Sequence, residues 1–216
     1  TERTFGFDTA LAVATDALDR LHTTAESHHR VMILEVMGRY AGWIALHSGI
    51  AGGADGILIP EIPYRLEAVL AKIYQRRDHG KCFSIIVIAE GAAPVGGAMT
   101  GVRAAAGSDE PIRLGGVGEK LARDIEERTG IECRCTVLGH LQRGGSPTAY
   151  DRVLATGYGV AAVNCLLAGK FGRMVALRDN KIIDVPITEI ASHTKTVQPN
   201  NELLLAGRGV GVCFGD

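Results

Sequence analysis

Val31-Met-Ile-Leu-Glu-Val-Met-Gly-Arg-Tyr-Ala-Gly42 is the stretch on which the fold turns. Its first seven residues are apolar but for Glu35 and stop at Gly38, which predicts a strand buried on both faces. Helical pattern resumes near residues 41–49. Two further runs repeat the theme: Gly56-Ile-Leu-Ile-Pro60, closed by Pro60 and Pro63, and Phe83-Ser-Ile-Ile-Val-Ile-Ala89, the most apolar of the three. Outward from these, Phe7, Leu11, Ala14, Leu18 and Leu21 recur at helical spacing and predict a helix over about 7–24. Leu66, Val69, Leu70 and Ile73 predict another that ends at Gly80. Buried strand alternating with amphipathic helix means an α/β fold, a parallel sheet covered by helices on both faces.

Residues 91–115 are rich in Gly, Ala and Pro and show no period, so they are expected to form a long loop or insertion. Gly118–Arg128 predicts a charged helix ended by Gly130, with Glu126-Glu127-Arg128 on its solvated face. Glu132–Gly139 predicts a strand. After a glycine-containing loop comes a long helix over about 147–168, with Pro147 near its first turn. Met174–Leu177 and Lys181–Val185 predict a hairpin about Asp179-Asn180, and the last 25 residues alternate short helix and loop.

The 216 residues are 46% hydrophobic and 22% charged, enough apolar mass for a full core. A net charge of −1 gives no general pull toward nucleic acid or an anionic membrane, and no apolar run reaches the roughly 20 residues of a spanning helix. Thr1-Glu2-Arg3-Thr4 lacks the character of a signal peptide and a starting Met, so the chain is expected to derive from a longer one. Five cysteines without metal-type spacing fit reduced, mostly buried thiols of a cytoplasmic protein, with no metal site. The 28 glycines cluster in short knots between apolar runs, where they allow positive φ or close approach of backbone to a ligand.

Three constellations carry polar chemistry. In the first, a buried strand delivers Met37 and Gly38 to its carboxyl end, where ligands bind in open α/β sheets. A helix begins just beyond, favouring anions, and Arg39 is able to take a phosphoryl group bidentately. A plain strand-to-helix turn with a solvated arginine fits this segment equally. In the second, Glu90 ends the most apolar strand; its carboxylate would accept from sugar hydroxyls, or simply face solvent. The third is Arg134-Cys-Thr-Val-Leu-Gly-His-Leu-Gln-Arg-Gly-Gly-Ser-Pro147. There Arg134, His140 and Arg143 bracket a strand end and a Gly-Gly turn, a good receptor for phosphate. Arg30 precedes the first strand at its opposite end and reaches a ligand only if an oligomer brings it to a neighbour. Motifs for P-loops, nucleophile elbows, zincins and dinucleotide folds are absent from the sequence.

Taken in order, EVMGRYAG, AGGADGILIPE, IAEGA and TVLGHLQRGGSPTAYDR resemble the hallmark segments of the phosphofructokinase family, and the similarity runs from Phe5 to near Asp216. The resemblance implies that Met37 and Gly38 line the sugar and Glu90 holds fructose hydroxyls. Arg39 would approach the transferred phosphoryl group as the catalytic contact. His140 and Arg143 would grip the 6-phosphate, and Arg30 and Arg134 would reach it across a subunit interface. It implies phosphoryl transfer from ATP or diphosphate to the 1-hydroxyl of fructose 6-phosphate, with Mg2+ carried by the donor, in a homo-oligomer (dimer or tetramer). The family's aspartate base and glycine-rich donor segments would lie before residue 1, so the chain alone is expected to be inactive. The alternative is a non-catalytic sugar-phosphate-binding or regulatory module, one half of a split protein.

By the same resemblance, residues 7–141 belong to a three-layer sugar-phosphate-binding lobe and 142–191 to a C-terminal piece of the donor-binding lobe, with 192–216 returning to the first. That piece is expected to expose Val160, Val163 and Leu166. The 91–115 stretch resembles the diphosphate-using or mixed branch. Asp55, His79, Lys81 and Phe83 depart from the effector-binding pattern of the allosteric bacterial branch.

Overall fold

The structure, a computed structural model, describes residues 1–103, 112–191 and 194–216. Its first half alternates α1 (Phe7–His28), β1 (Val31–Val36), α2 (Trp43–Ala51), β2 (Gly56–Leu58), α3 (Leu66–Asp78) and β3 (Ser84–Ala89). A short antiparallel pair, β4 (Gly101–Arg103) and β5 (Ile112–Leu114), precedes α4 (Val117–Thr129) and β6 (Cys133–Val137). A 3-10 turn over Gly139–Arg143 leads to α5 (Ala149–Leu167), the hairpin β7 (Arg173–Arg178) and β8 (Lys181–Pro186), and finally α6 (Glu202–Gly209).

The main sheet has the order β2-β3-β1-β6 with every pairing parallel. Side-chain alternation then sorts residues to two cores. Met32, Leu34 and Val36 join Ala14, Leu18 and Leu46 from α1 and α2, while Val31 and Ile33 join Ile73, Leu121 and Ile125 from α3 and α4. The sheet is thus the middle of three layers. Fully burying a Leu or Ile contributes about 1.5–3 kcal/mol, so a one-residue slip of β1, which would exchange Leu34 for Glu35, is strongly disfavoured. Val197, Leu204 and Phe214 enter the α1–α2 core, so the last segment packs back on the sheet.

Glu35 is the exception on the α4 face. Only 2% exposed, it accepts from Gly116 N at 3.0 Å and Gly118 N at 2.8 Å, capping a helix whose own N-cap, Gly116, has no side chain. The carboxylate therefore replaces a local cap from a distant strand.

Several boundaries move from the sequence expectation for local reasons. α1 runs on to His28 because Ala25 is buried, and it stops where His29 turns left-handed at φ 55°. β1 ends at Val36 because the Met37 amide turns to the side chain of Gln142. Pro147 lies before α5, where Thr148 is the cap. Part of the stretch expected to be loop is the β4–β5 pair, although residues 104–111 fall outside the described ones. Asp179 and Asn180, at φ 50° and 59°, form the hairpin turn as expected. Val160, Val163 and Leu166 are exposed along α5. Two expectations are corrected. Only Cys133 of the five thiols is buried, and Cys82 is exposed. Glu126 is not simply solvated: its carboxylate accepts from Cys133 N at 2.8 Å and pairs with Arg134 at 3.5 Å.

Candidate functional site

Because β1, β3 and β6 are parallel, the segments that follow them emerge at one edge. Glu90 follows β3, and its amide donates to Val36 O at 2.9 Å, extending the pairing by one rung. This places its carboxylate beside the turn after β1, where Oε1 accepts from Gly38 N at 3.3 Å and Arg39 N at 3.1 Å. Arg39 takes a left-handed conformation, φ 49°, and Gly91 comes against its carbonyl so closely that no side chain fits there. The Arg39 guanidinium lies over the Tyr40 ring, 5.0 Å from the centroid.

From β6 comes the second wall. Gln142, in the 3-10 turn and 3% exposed, accepts from Met37 N at 3.3 Å and donates to Gly139 O at 3.3 Å. It fixes the start of the Arg143–Pro147 loop to the end of β1. At the other end of that loop, Thr148 caps α5 and Asp151, buried, accepts from Thr9 N at 2.8 Å and Thr9 Oγ1 at 2.5 Å.

Between these walls lies a cleft of about 850 Å³, within the range of small-molecule sites. Met37, Gly38, Arg39, Glu90 and Arg143 all line it, with Phe5, Phe7 and Ile44 supplying apolar surface. Three guanidinium groups, of Arg39, Arg143 and Arg152, and two carboxylates, of Glu90 and Asp151, line one concavity, and such a set can hold a ligand that is anionic at one point and hydroxylated at another.

The other sequence candidates stand elsewhere. His140 is exposed on the 3-10 turn and is not among the lining residues. Arg134 sits early in β6, opposite Met32 of β1, and is engaged by Glu132. The expected cluster of Arg134, His140 and Arg143 is therefore not formed within one chain, because β6 runs its length between the first and the last of them. Arg30, at the far end of β1, bonds the same Glu132 at 2.6 Å. The two arginines thus share one carboxylate on the edge away from the cleft.

At the N-terminus of α2 the amide of the N-cap Gly42 is taken by Glu61, which accepts from it at 3.0 and 3.1 Å and from Val197 N at 2.8 Å. Asp55, of the departures from the effector pattern, pairs with Arg76 at 2.5 Å and accepts from Ile85 N at 2.9 Å. Burial pushes its carboxyl up despite those partners.

Sequence reading missed Gln142, Glu61 and Asp151. Asp151 had a local signal, since Thr148-x-x-Asp151 is the pattern of a capping box. Gln142 and Glu61 had none, because their partners are 105 and 19 residues away. A larger cleft of about 900 Å³ runs between residues 1–4, Trp43 and His47 of α2, and residues 194–203. Its charged lining side chains, Arg3, Lys195, Glu2 and Glu202, balance one another, whereas arginines outnumber carboxylates in the smaller cleft. Among the described residues no group of three His, Cys, Asp or Glu side chains is placed to hold a metal ion.

Comparison with known proteins fits this geometry. A family model described as Phosphofructokinase matches residues 1–166. The sequence is 56% identical over its full length to the ATP-dependent 6-phosphofructokinase of Chloroflexus aurantiacus, covering 59% of that protein. It is 54% identical over 215 residues to the pyrophosphate–fructose 6-phosphate 1-phosphotransferase of Streptomyces coelicolor, covering 61% of it. Phosphofructokinase from Saccharomyces cerevisiae superposes with a TM-score of 0.72 at 36% identity, over 88% of this chain and 24% of that one. The pyrophosphate-dependent phosphofructokinase from Marinobacter aquaeolei gives 0.72 at 29% identity, over 91% and 50%. The chain thus spans about three-fifths of the length of these sequence relatives.

Proposed function

This chain belongs to the phosphofructokinase family, and on that premise we propose that its cleft is a fructose 6-phosphate site. The protein that contains it moves a phosphoryl group from ATP or diphosphate to the sugar's 1-hydroxyl. The observation that carries the reading is that Arg39, Glu90 and Arg143, separated in sequence, line one cleft. Glu90 offers acceptors to sugar hydroxyls, with its orientation set by the Gly38 and Arg39 amides. Arg143 takes the 6-phosphate, and Met37 and Gly38 form the floor under the ring.

Arg39 is the catalytic contact of this proposal. Transfers of this kind depend on positioning and on neutralising charge spread over the moving phosphoryl oxygens, and a guanidinium in the cleft does both. Magnesium would arrive with the donor and neutralise its charge. No base is assigned within the chain, and the chain by itself is proposed to bind without turnover.

Residues 7–141 and 192–216 form the sugar-phosphate lobe of this reading, supported by the return of Val197, Leu204 and Phe214 to the sheet core. Residues 142–191 belong to the donor lobe. His140 is assigned with Arg143 to the 6-phosphate from the same subunit, and Arg30 and Arg134 to that phosphate from a neighbouring one. Arg30 and Arg134 lie together on one edge, bound to one Glu132, as a pair lent to a neighbour would. The exposed Val160, Val163 and Leu166 favour association into a dimer or tetramer; a monodisperse monomer in light scattering at micromolar concentration would contradict it.

Calorimetric titration tests the site directly. Fructose 6-phosphate should bind, fructose should bind far more weakly, and Arg143→Ala should remove most of the difference. Equal affinity for fructose and its 6-phosphate would end the proposal. Fructose bisphosphate formed by the isolated chain in a coupled assay would overturn the claim that it does not turn over.

A further inference from the structure

Two helices meet end to end beneath the cleft. The N-cap of α1 is Gly6, which has no side chain to offer its first amides, and the group that serves them is Asp151 in the first turn of α5. Asp151 Oδ2 accepts from both Thr9 N and Thr9 Oγ1. The service is returned: Thr148, the cap of α5, donates its hydroxyl to Asp8 Oδ2 at 2.6 Å, and its amide donates to Thr9 Oγ1 at 3.1 Å. The amides of α1 are thus served from α5, and the cap residue of α5 is tied to α1, between residues about 140 apart in sequence. Placing a carboxylate between two helix N-termini is favourable because both present partial positive charge.

Asp151 is 2% exposed, yet among the described residues its other oxygen, Oδ1, finds no hydrogen-bond partner. A buried acceptor left unsatisfied is destabilising, a cost that the charge at the two helix N-termini offsets. The same carboxylate also bears on the loop from Arg143. That loop is anchored at its start by buried Gln142. It passes through Gly144 and Gly145, which have no side chains to fix it, and Pro147 O accepts from Arg152 Nε at 2.8 Å. It ends on Thr148, whose amide and hydroxyl are both tied to α1. Thr9, Arg143, Asp151 and Arg152 line the same cleft.

We propose that Asp151 is a positioning residue for Arg143: by locking Thr9 to Thr148 it stretches the glycine loop and holds the Arg143 guanidinium at the sugar-phosphate end of the cleft. This rests on the fructose 6-phosphate reading above. Asp151 touches no substrate in it and acts only through the loop.

The test is a double-mutant cycle in the full-length native protein, reading KM for fructose 6-phosphate and kcat separately. Asp151→Ala should raise KM about tenfold with kcat changed by no more than about twofold. Combined with Arg143→Ala, it should add almost nothing to the Arg143→Ala loss, because two residues acting as a unit are not additive. Asp151→Asn, which keeps an acceptor for Thr9, should recover most of the KM. If Asp151→Ala does not fold, Thr9→Val, which removes the hydroxyl and keeps the amide, takes its place in the cycle with the same expectation. Losses that multiply in the double variant would overturn the role of Asp151, as would an unchanged KM in the single variant. An unchanged KM in Arg143→Ala would instead remove the sugar-phosphate reading of Arg143, so the two failures are told apart.

Discussion

A β-carbon added to Gly91 would lie 1.6 Å from the carbonyl oxygen of Arg39. The two belong to the segments that follow β3 and β1, and their approach is what lets Glu90 hold both amides of the Gly38–Arg39 turn. Gly91→Ala must therefore push the Arg39 turn away. Urea unfolding should show a loss above about 3 kcal/mol, together with loss of fructose 6-phosphate binding. Gly96→Ala is the contrast: Gly96 has a positive φ, 73°, but nothing within 4 Å of an added β-carbon, and the change should cost about 1 kcal/mol.

Glu35 makes a prediction of opposite character. Its carboxylate caps α4 on the far face of the sheet from α1 and α2. Glu35→Ala leaves the buried Gly118 amide and the half-buried Gly116 amide without this acceptor and should cost about 2 kcal/mol. Glu35→Gln, which keeps one acceptor, should cost less. Sugar-phosphate affinity should stay within about twofold of the parent, and hydrogen exchange at Gly116 and Gly118 should quicken.

Acid should act through His47. Burial, and after it the nearby Arg3, pulls this imidazole below its ordinary value of 6.5. The unfolded chain then takes up a proton more readily than the folded one. The stabilisation is fully present above about pH 6.5 and is lost as pH falls through the lower folded value. Melting temperature should decline over that window, and His47→Gln should flatten the decline. Trp43, the single tryptophan, has its ring 6.2 Å from His47, so its fluorescence should report the same titration. A pH-independent difference between parent and variant would refute the assignment.

Thiol chemistry should be selective. Burial, with Glu126 next in importance, pushes the Cys133 thiol up to about 12. Burial and then Glu35 does the same to Cys135, also to about 12. Since the thiolate is the reactive form, iodoacetamide at pH 8 should label exposed Cys82 first. Cys133 and Cys135 should be labelled only on unfolding, which peptide mass mapping resolves.

The fold was legible wherever one strand or helix carried its own period. Val31–Met37, Gly56–Pro60 and Phe83–Ala89 each contained the strand they announced, since a parallel sheet covered on both faces demands an apolar run. The cleft residues Met37, Gly38, Arg39, Glu90 and Arg143 were legible because they follow strand ends. What stayed hidden depends on partners distant in sequence. Gln142 reads as one more polar residue until β6 is laid beside β1. Glu61 and Glu35 read as ordinary carboxylates until the helix termini they close are located. Arg134 misled for the converse reason: it is near His140 in the chain but a strand's length away in space.

The turn after β1 has one more consequence. The amides of Met37, Gly38, Arg39, Ala41 and Gly42 all donate to other groups of the protein, so an incoming anion meets guanidinium groups on long side chains instead of main-chain dipoles. Side-chain charges at a cleft mouth are open to counterions, and the Debye length shrinks from about 10 Å at 0.1 M to about 3 Å at 1 M ionic strength. The proposed capture of a sugar phosphate at this edge should therefore weaken as salt rises, in contrast to sites that cradle phosphate on fixed backbone.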